Sequence, residues 1–247
     1  MKAIKTIYIV LLLAAYSCSQ QGGTESDADD HGHSHGEGTH SHTHGDDNDQ
    51  EQFSVVTDTL EKQTVAATDI SPEYVQLATG LRIIPNIKDA VESVGVLTHE
   101  GVFGPLLFAK RSRAFFIELK PGMFLAEHPH PNESLVFTVS GRWVLCSEGK
   151  RQVMETGSMF HFGDNIPTGW EAPFAEGALL YVVKTKEEGA GYEPYMKGLR
   201  DMVSELDDMR TDGMEFYYNE LPEDHVAIQF ARSVNPDFDA VLASIKY

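Results

Sequence analysis

From Phe53 onward, short apolar runs alternate with glycine or proline breaks, and their spacing predicts the elements. Leu106–Phe108, Ala114–Leu119, Leu135–Val139, Trp143–Cys146, Met159–Phe162 and Leu179–Val183 have strand character, with turns expected at Pro121-Gly122, Gly141, Gly149, Gly157, Gly163 and Gly177. Many short strands broken by close turns give a β-sandwich or a barrel. Upstream, Ser71-Pro72-Glu73 reads as a helix start that Gly80 would stop, and Leu81–Pro85 and Val94–Leu97 read as strands. After Lys184 the period changes. Met196, Leu199, Met202, Val203, Leu206 and Met209 recur at helical spacing with charged residues between them, so the methionines are expected in a packed stripe. Asn235-Pro236-Asp237 opens another helix carrying Phe238, Val241, Leu242 and Ile245 on one face. Met214–Tyr218 reads as a strand, and Val226–Phe230 as strand or helix.

The first part of the chain has no such pattern. Met1 to Cys18 carries two lysines, an apolar run from Ile7 to Ala15 and then small residues, which is a secretory signal and too short for a membrane span. Its end, Ala15-Tyr16-Ser17-Cys18, resembles a bacterial lipobox. That implies cleavage before Cys18, acylation of its thiol, and an exported lipoprotein anchored at a periplasmic or cell-surface face. An ordinary cleaved signal is the alternative. Residues 19–52 hold nine acidic residues, no lysine or arginine and almost nothing apolar, so a disordered tether is expected. Within it lie His31, His33, His35, His40, His42 and His44, a tract able to bind zinc, nickel or copper. The only other cysteine, Cys146, sits in an apolar run and is expected to be a small buried core residue.

The formal net charge of −19 excludes binding to a nucleic-acid backbone. It also excludes electrostatic attachment to an anionic membrane, which leaves the lipid as the anchor.

The chemistry concentrates between Gly122 and Ala172. His128 and His130 stand two apart on an extended segment, so their imidazoles point the same way and can share one metal ion. The run GMFLAEHPHPNESLVFTVSG, with Gly122, His128, His130 and Gly141 in register, resembles the first motif of the cupins. Gly157 and Asn165 match the first glycine and the turn position of their second motif. The resemblance covers roughly residues 101–185 and implies a mainly β, cupin-type jelly-roll barrel with N- and C-terminal helical extensions. The expected organisation is a signal at 1–17, a tether at 18–52, an extension at 53–100, the barrel at 101–185 and a helical extension at 186–247. A homodimer is one assembly left open.

The resemblance also implies four metal ligands, and here the sequence departs from it. The family's acid falls on Ser134 and its second-motif histidine on Thr168, while Glu133 stands one position early. His128 and His130, joined by Glu133 and His161, form the candidate set for a divalent ion such as zinc, iron, nickel or manganese. Ser134, Thr168 and Trp170, the last expected at the barrel mouth, are candidate contacts for a small ligand. Three readings follow: a barrel that binds a small molecule or a divalent ion, a metal-dependent enzyme of dioxygenase or isomerase type, and a metal-handling lipoprotein that works through its histidine tract.

Overall fold

The computed structural model describes residues 63–245. The expectations for the signal, Cys18, the tether and the histidine tract fall outside the described residues.

Three short strands come first: β1 (Gln63–Val65), β2 (Tyr74–Ala78) and β3 (Leu81–Ile83), a small antiparallel sheet in that order. The helix expected from Ser71 to Gly80 is therefore a strand. Tyr74 and Val75 favour extended backbone, and Val75 pairs with Thr64 on one side and Ile83 on the other. The Thr68 hydroxyl accepts the Ile70 and Ser71 N–H groups, so Ser71 closes a turn instead of capping a helix. Gly80, at φ 78°, turns the β2–β3 hairpin. The helix of this region lies later, at α1 (Ile87–Val94), where the Asn86 side chain caps the Lys88 N–H at 3.0 Å.

The large sheet contains β4 (Val96–Thr98), β5 (Gly101–Phe108), β6 (Ser112–Leu119), β7 (Phe124–Pro129), β8 (Ser134–Ser147), β9 (Lys150–Glu155), β10 (Met159–Phe162), β11 (Pro167–Glu171) and β12 (Ala178–Thr185). Its strands run β4-β5-β6-β12-β8-β11-β7, all antiparallel, with β9 and β10 also paired to β8. Leu135–Val139 and Trp143–Cys146, expected as two strands with a turn at Gly141, are one. The first half of β8 pairs with β12 and β10, the second half with β9 and β11. Gly141 makes this crossing possible. Its φ is 84°, and a Cβ there would lie 2.1 Å from the Gly177 carbonyl oxygen.

Strand alternation then sorts the side chains. Phe115, Ile117, Leu119, Val136, Ala178, Leu180 and Val182 face the interior with Trp143, Phe162 and Trp170. Phe116, Leu106 and Leu179 face outward and are covered by Ala90 and Val94 of α1.

The C-terminal region supplies α2 (Tyr192–Ser204), α3 (Leu206–Thr211), α4 (Val226–Val234) and α5 (Phe238–Ser244). The single helix expected from Met196 to Met209 is thus broken at Glu205. Tyr195, Met196 and Leu199 of α2 pack into the interior cluster. Met214–Tyr218 forms no strand, only a bridge from Tyr217 to Met123 followed by a 3-10 turn at Tyr218–Glu220. Val226–Phe230 is helical, and α4 and α5 cover the outer face of β7 and β8 through Phe124, Val144 and Cys146.

A buried polar knot sits at that seam. Glu171, 1 % exposed, accepts from Cys146 Sγ at 3.0 Å, Arg151 Nε at 2.9 Å and the Tyr218 hydroxyl at 3.1 Å. Burial, reinforced by this carboxylate, pushes the Cys146 thiol and the Tyr218 hydroxyl far up, so both stay protonated.

Candidate functional site

The interior near the end of β7 gathers polar groups. Thr168 pairs with His128, but Trp170 pairs with Leu125, so β7 carries one extra residue over this stretch. The resulting bulge turns both Leu125 and His128 inward, which plain alternation forbids for positions three apart. Gly169 accommodates it, since a Cβ there would lie 2.4 Å from the Leu125 carbonyl oxygen.

His128 Nδ1 donates to the Ala126 carbonyl at 3.1 Å, which in the neutral ring leaves Nε2 as an acceptor. His130, just beyond β7, is 6 % exposed. Its ring stands 4.5 Å from that of His128, 4.8 Å from Phe162 and 5.8 Å from Trp170, centroid to centroid. Burial first, then His128 and Lys184, lower its pKa to about 3, while a hydrogen bond to the Thr168 backbone acts the other way. The imidazole is therefore neutral.

Trp170 is not at the mouth. It is buried, and its indole N–H donates to the Glu100 carbonyl at 2.7 Å, pinning the β4–β5 turn. That turn delivers two residues the sequence left without a role. Glu100 Oε1 lies 3.5 Å from His99 Nε2 and 3.8 Å from His128 Nε2, and both turn residues are buried. Burial, more than any neighbouring charge, lowers the His99 pKa.

Ser134 and Thr168 both face inward and are buried, and neither hydroxyl has a partner. The pairing of Ser134 with inward-facing Phe162 fixes the first, and that of Thr168 with His128 the second. His128 Nε2, His130 Nε2 and Glu100 Oε1 are also buried without hydrogen-bond partners.

Glu133 and His161 do not join this cluster. His161 pairs with outward-facing Leu135, so its ring points to solvent, where it meets Glu133 Oε2 at 3.3 Å. Both of those side chains are more than half exposed, at 55 % and 63 %. The one-residue offset of Glu133 puts it on the opposite face from Ser134, and its N–H donates to Asp164 Oδ1.

Two cations complete the interior. Lys184 follows Ala178, Leu180 and Val182 on the inner face of β12, and Arg113 precedes Phe115 on the inner face of β6. The two are directly opposed in register. Burial and then Arg113 bring the Lys184 ammonium down to about 8. Strand periodicity read through Lys184 and Arg113 was the signal that could have found them.

The two imidazoles suit a first-row divalent ion, but the complete set does not. Hydroxyls at Ser134 and Thr168 are poor ligands, and among the described residues no three His, Cys, Asp or Glu side chains converge to hold one.

Comparison with known proteins gives a consistent picture. No curated protein matches the sequence. Among solved structures, the chain is similar to an RmlC-like cupin from Shewanella frigidimarina, at 19 % identity over 36 % of this chain and 78 % of that one, with a TM-score of 0.32. It is similar to the polyketide cyclase RemF from Streptomyces resistomycificus, at 16 % identity over 44 % and 85 % of the two chains, TM-score 0.34. A putative ethanolamine utilization protein Q from Salmonella typhimurium aligns at 14 % identity over 50 % and 96 %, TM-score 0.38. The family model described as "Cupin domain" matches residues 115–184, the stretch from β6 to β12 that holds His128, His130, Ser134, Thr168 and Lys184 but not the β4–β5 turn, Arg113 or α2. This chain carries a domain of the cupin superfamily.

Proposed function

We propose that the barrel binds a small polar molecule and that an acyl chain on Cys18 holds it at a membrane surface. One observation carries the binding reading: His128 Nε2, His130 Nε2, Ser134 Oγ and Thr168 Oγ1 are buried, unpaired and gathered on one interior face. Each such group costs about 1–3 kcal/mol when left without a partner. A bound molecule that supplies donors to the two nitrogens and accepts from the two hydroxyls recovers that cost. The two imidazoles and the hydroxyls orient such a ligand, while Phe162 and Val136 beside them exclude water from it.

The alternative is a metal-dependent enzyme. Glu100 is the specific observation in its favour, because Oε1 is the unpaired carboxylate oxygen nearest His128 Nε2. The deciding experiment is ion stoichiometry on the full chain with the six tail histidines replaced by serine, which removes the competing tract. The binding-module reading expects no tightly held ion. One ion per chain, lost in the His128→Ala/His130→Ala variant, would overturn it in favour of the metalloenzyme.

The anchor rests on the sequence around Cys18 and is compatible with a described chain in which no helix is long and apolar enough to cross a membrane. Cys18→Ser is expected to move the protein from the membrane to the soluble fraction and abolish incorporation of labelled palmitate. Continued labelling of that variant would refute acylation at Cys18.

A further inference from the structure

Arg113 and Lys184 form an arrangement the packing alone does not explain. They stand directly opposite each other on adjacent strands, both on the inner face. Like charges in that position repel, and burial strengthens the repulsion. Glu100 and Glu187 offset it in part, and burial outweighs them at Lys184. Arg113, 7 % exposed, has an unpaired Nε, and its Nη2 reaches Glu187 only at 3.8 Å. Glu187 is itself part-exposed and accepts instead from Asn132 at 2.9 Å. Lys184 lies 5.7 Å from the Phe162 ring, and no carboxylate among the described residues approaches its ammonium within ion-pair distance. Glu100, buried on the interior side, lies nearer His99 and His128 and makes no ion pair with Lys184.

A pocket of about 270 Å³ opens beside Lys184, lined by Ser134 and Lys184 together with Glu133, His161 and the solvent-facing Leu135 and Val183, while Arg113 lies behind it and does not line it. Glu133 and His161 face each other, so they do not neutralise the cations behind them. The unpaired groups nearby are mostly donors: Arg113 Nε, Ser134 Oγ and the Tyr195 hydroxyl, whose ring packs on Phe115 two positions along β6. With Glu187, 3.8 Å from Arg113 Nη2, as the nearest counter-charge, this gathering of donors and cations favours an anion. The inward-facing neighbours of Ser134 and Lys184 across β8, β10 and β12 are the apolar Phe162, Val136 and Val182, which suit a carbon skeleton rather than a bare inorganic ion. His130, whose ring stands 4.8 Å from that of Phe162, lies on that side and can accept a hydrogen bond from a hydroxyl of the same molecule.

We infer that the ligand of this barrel is a small organic acid whose carboxylate sits between Lys184 and Arg113 at the Ser134 end of the interior. This rests on the small-molecule reading above and narrows it to an anion. In a chain of net charge −19, such a site draws its selectivity from local geometry, because the overall field repels anions.

The test is calorimetric titration of the full chain with succinate, its neutral analogue succinamide, and inorganic phosphate. Succinate is expected to bind and the other two are not. Lys184→Met, which removes a half-buried charge that opposes Arg113 and so leaves folding intact, is expected to weaken succinate roughly tenfold or more, while Lys184→Arg keeps most of the affinity. Binding of succinamide as tight as succinate, and unchanged in Lys184→Met, overturns the anion and leaves the small-molecule reading standing. Phosphate binding without succinate, or no binding of either anion, overturns the organic-acid assignment. An ion held through His128 and His130 instead counts against the small-molecule reading itself.

Discussion

Replacing Glu171 with alanine is expected to cost roughly 3–5 kcal/mol of folding stability, the largest loss from any single polar residue among the described residues. Three donors from different parts of the fold converge on that carboxylate: Cys146 in β8, Arg151 in β9 and Tyr218 ahead of α4. Without it the Arg151 guanidinium, 10 % exposed, is left as a buried charge with no counter-ion, and the Tyr218 hydroxyl has no acceptor. Desolvation rather than attraction drives the loss, so removing both charges at once should recover most of it. The double variant Glu171→Leu/Arg151→Met is expected to be far more stable than Glu171→Ala. Urea unfolding midpoints decide the matter, and a Glu171→Ala loss below about 1 kcal/mol would show that water reaches the seam.

The second large effect is a dependence on acid. His130 has a folded-state pKa near 3 against an ordinary value of 6.5, so the unfolded chain takes up a proton that the folded one refuses. The stability this group contributes is complete above pH 6.5 and is lost as pH falls toward about 3, by about 1.4 kcal/mol for each unit. His99, lowered mainly by burial, adds to the slope in the same direction. Unfolding measured at pH ~7 and ~5 should therefore show a steep fall, and His130→Leu should flatten it by about one proton. An unchanged slope in that variant would mean that His130 is protonated in the folded state.

Both effects depend on which way side chains face, and this is where the sequence was readable and where it was not. The Met159–Phe162 strand was legible to the residue, because alternation and flanking glycines mark it. The inward paths of Ser134 and Thr168 follow from register once the strands are paired. Glu133 and His161 stay outside the cluster because Glu133 stands one position off inward-facing Ser134 and His161 pairs with outward-facing Leu135, while the bulge in β7 turns His128 inward instead. His99 and Glu100 carry no local signal, since a turn between two short strands brings them in and the distant Trp170 indole fixes it. The Ser71–Gly80 stretch looked helical from its cap residues, yet cross-strand pairing outweighed so short a run. Strands β7, β9 and β11, which contain charged or polar residues, are too mixed in composition to stand out.

The length of β8 has a further bearing. Its 14 residues belong to both halves of the sheet, with the ladder passing from β12 and β10 to β9 and β11 across Gly141. Neither half can release its share of that strand without pulling on the other. The pocket end at Ser134 and the Glu171 seam beside Cys146 are thus joined by continuous backbone, not by a hinge. The barrel then opens as one cooperative unit, and a ligand that tightens Ser134 also slows hydrogen exchange at Val144, far along the same strand.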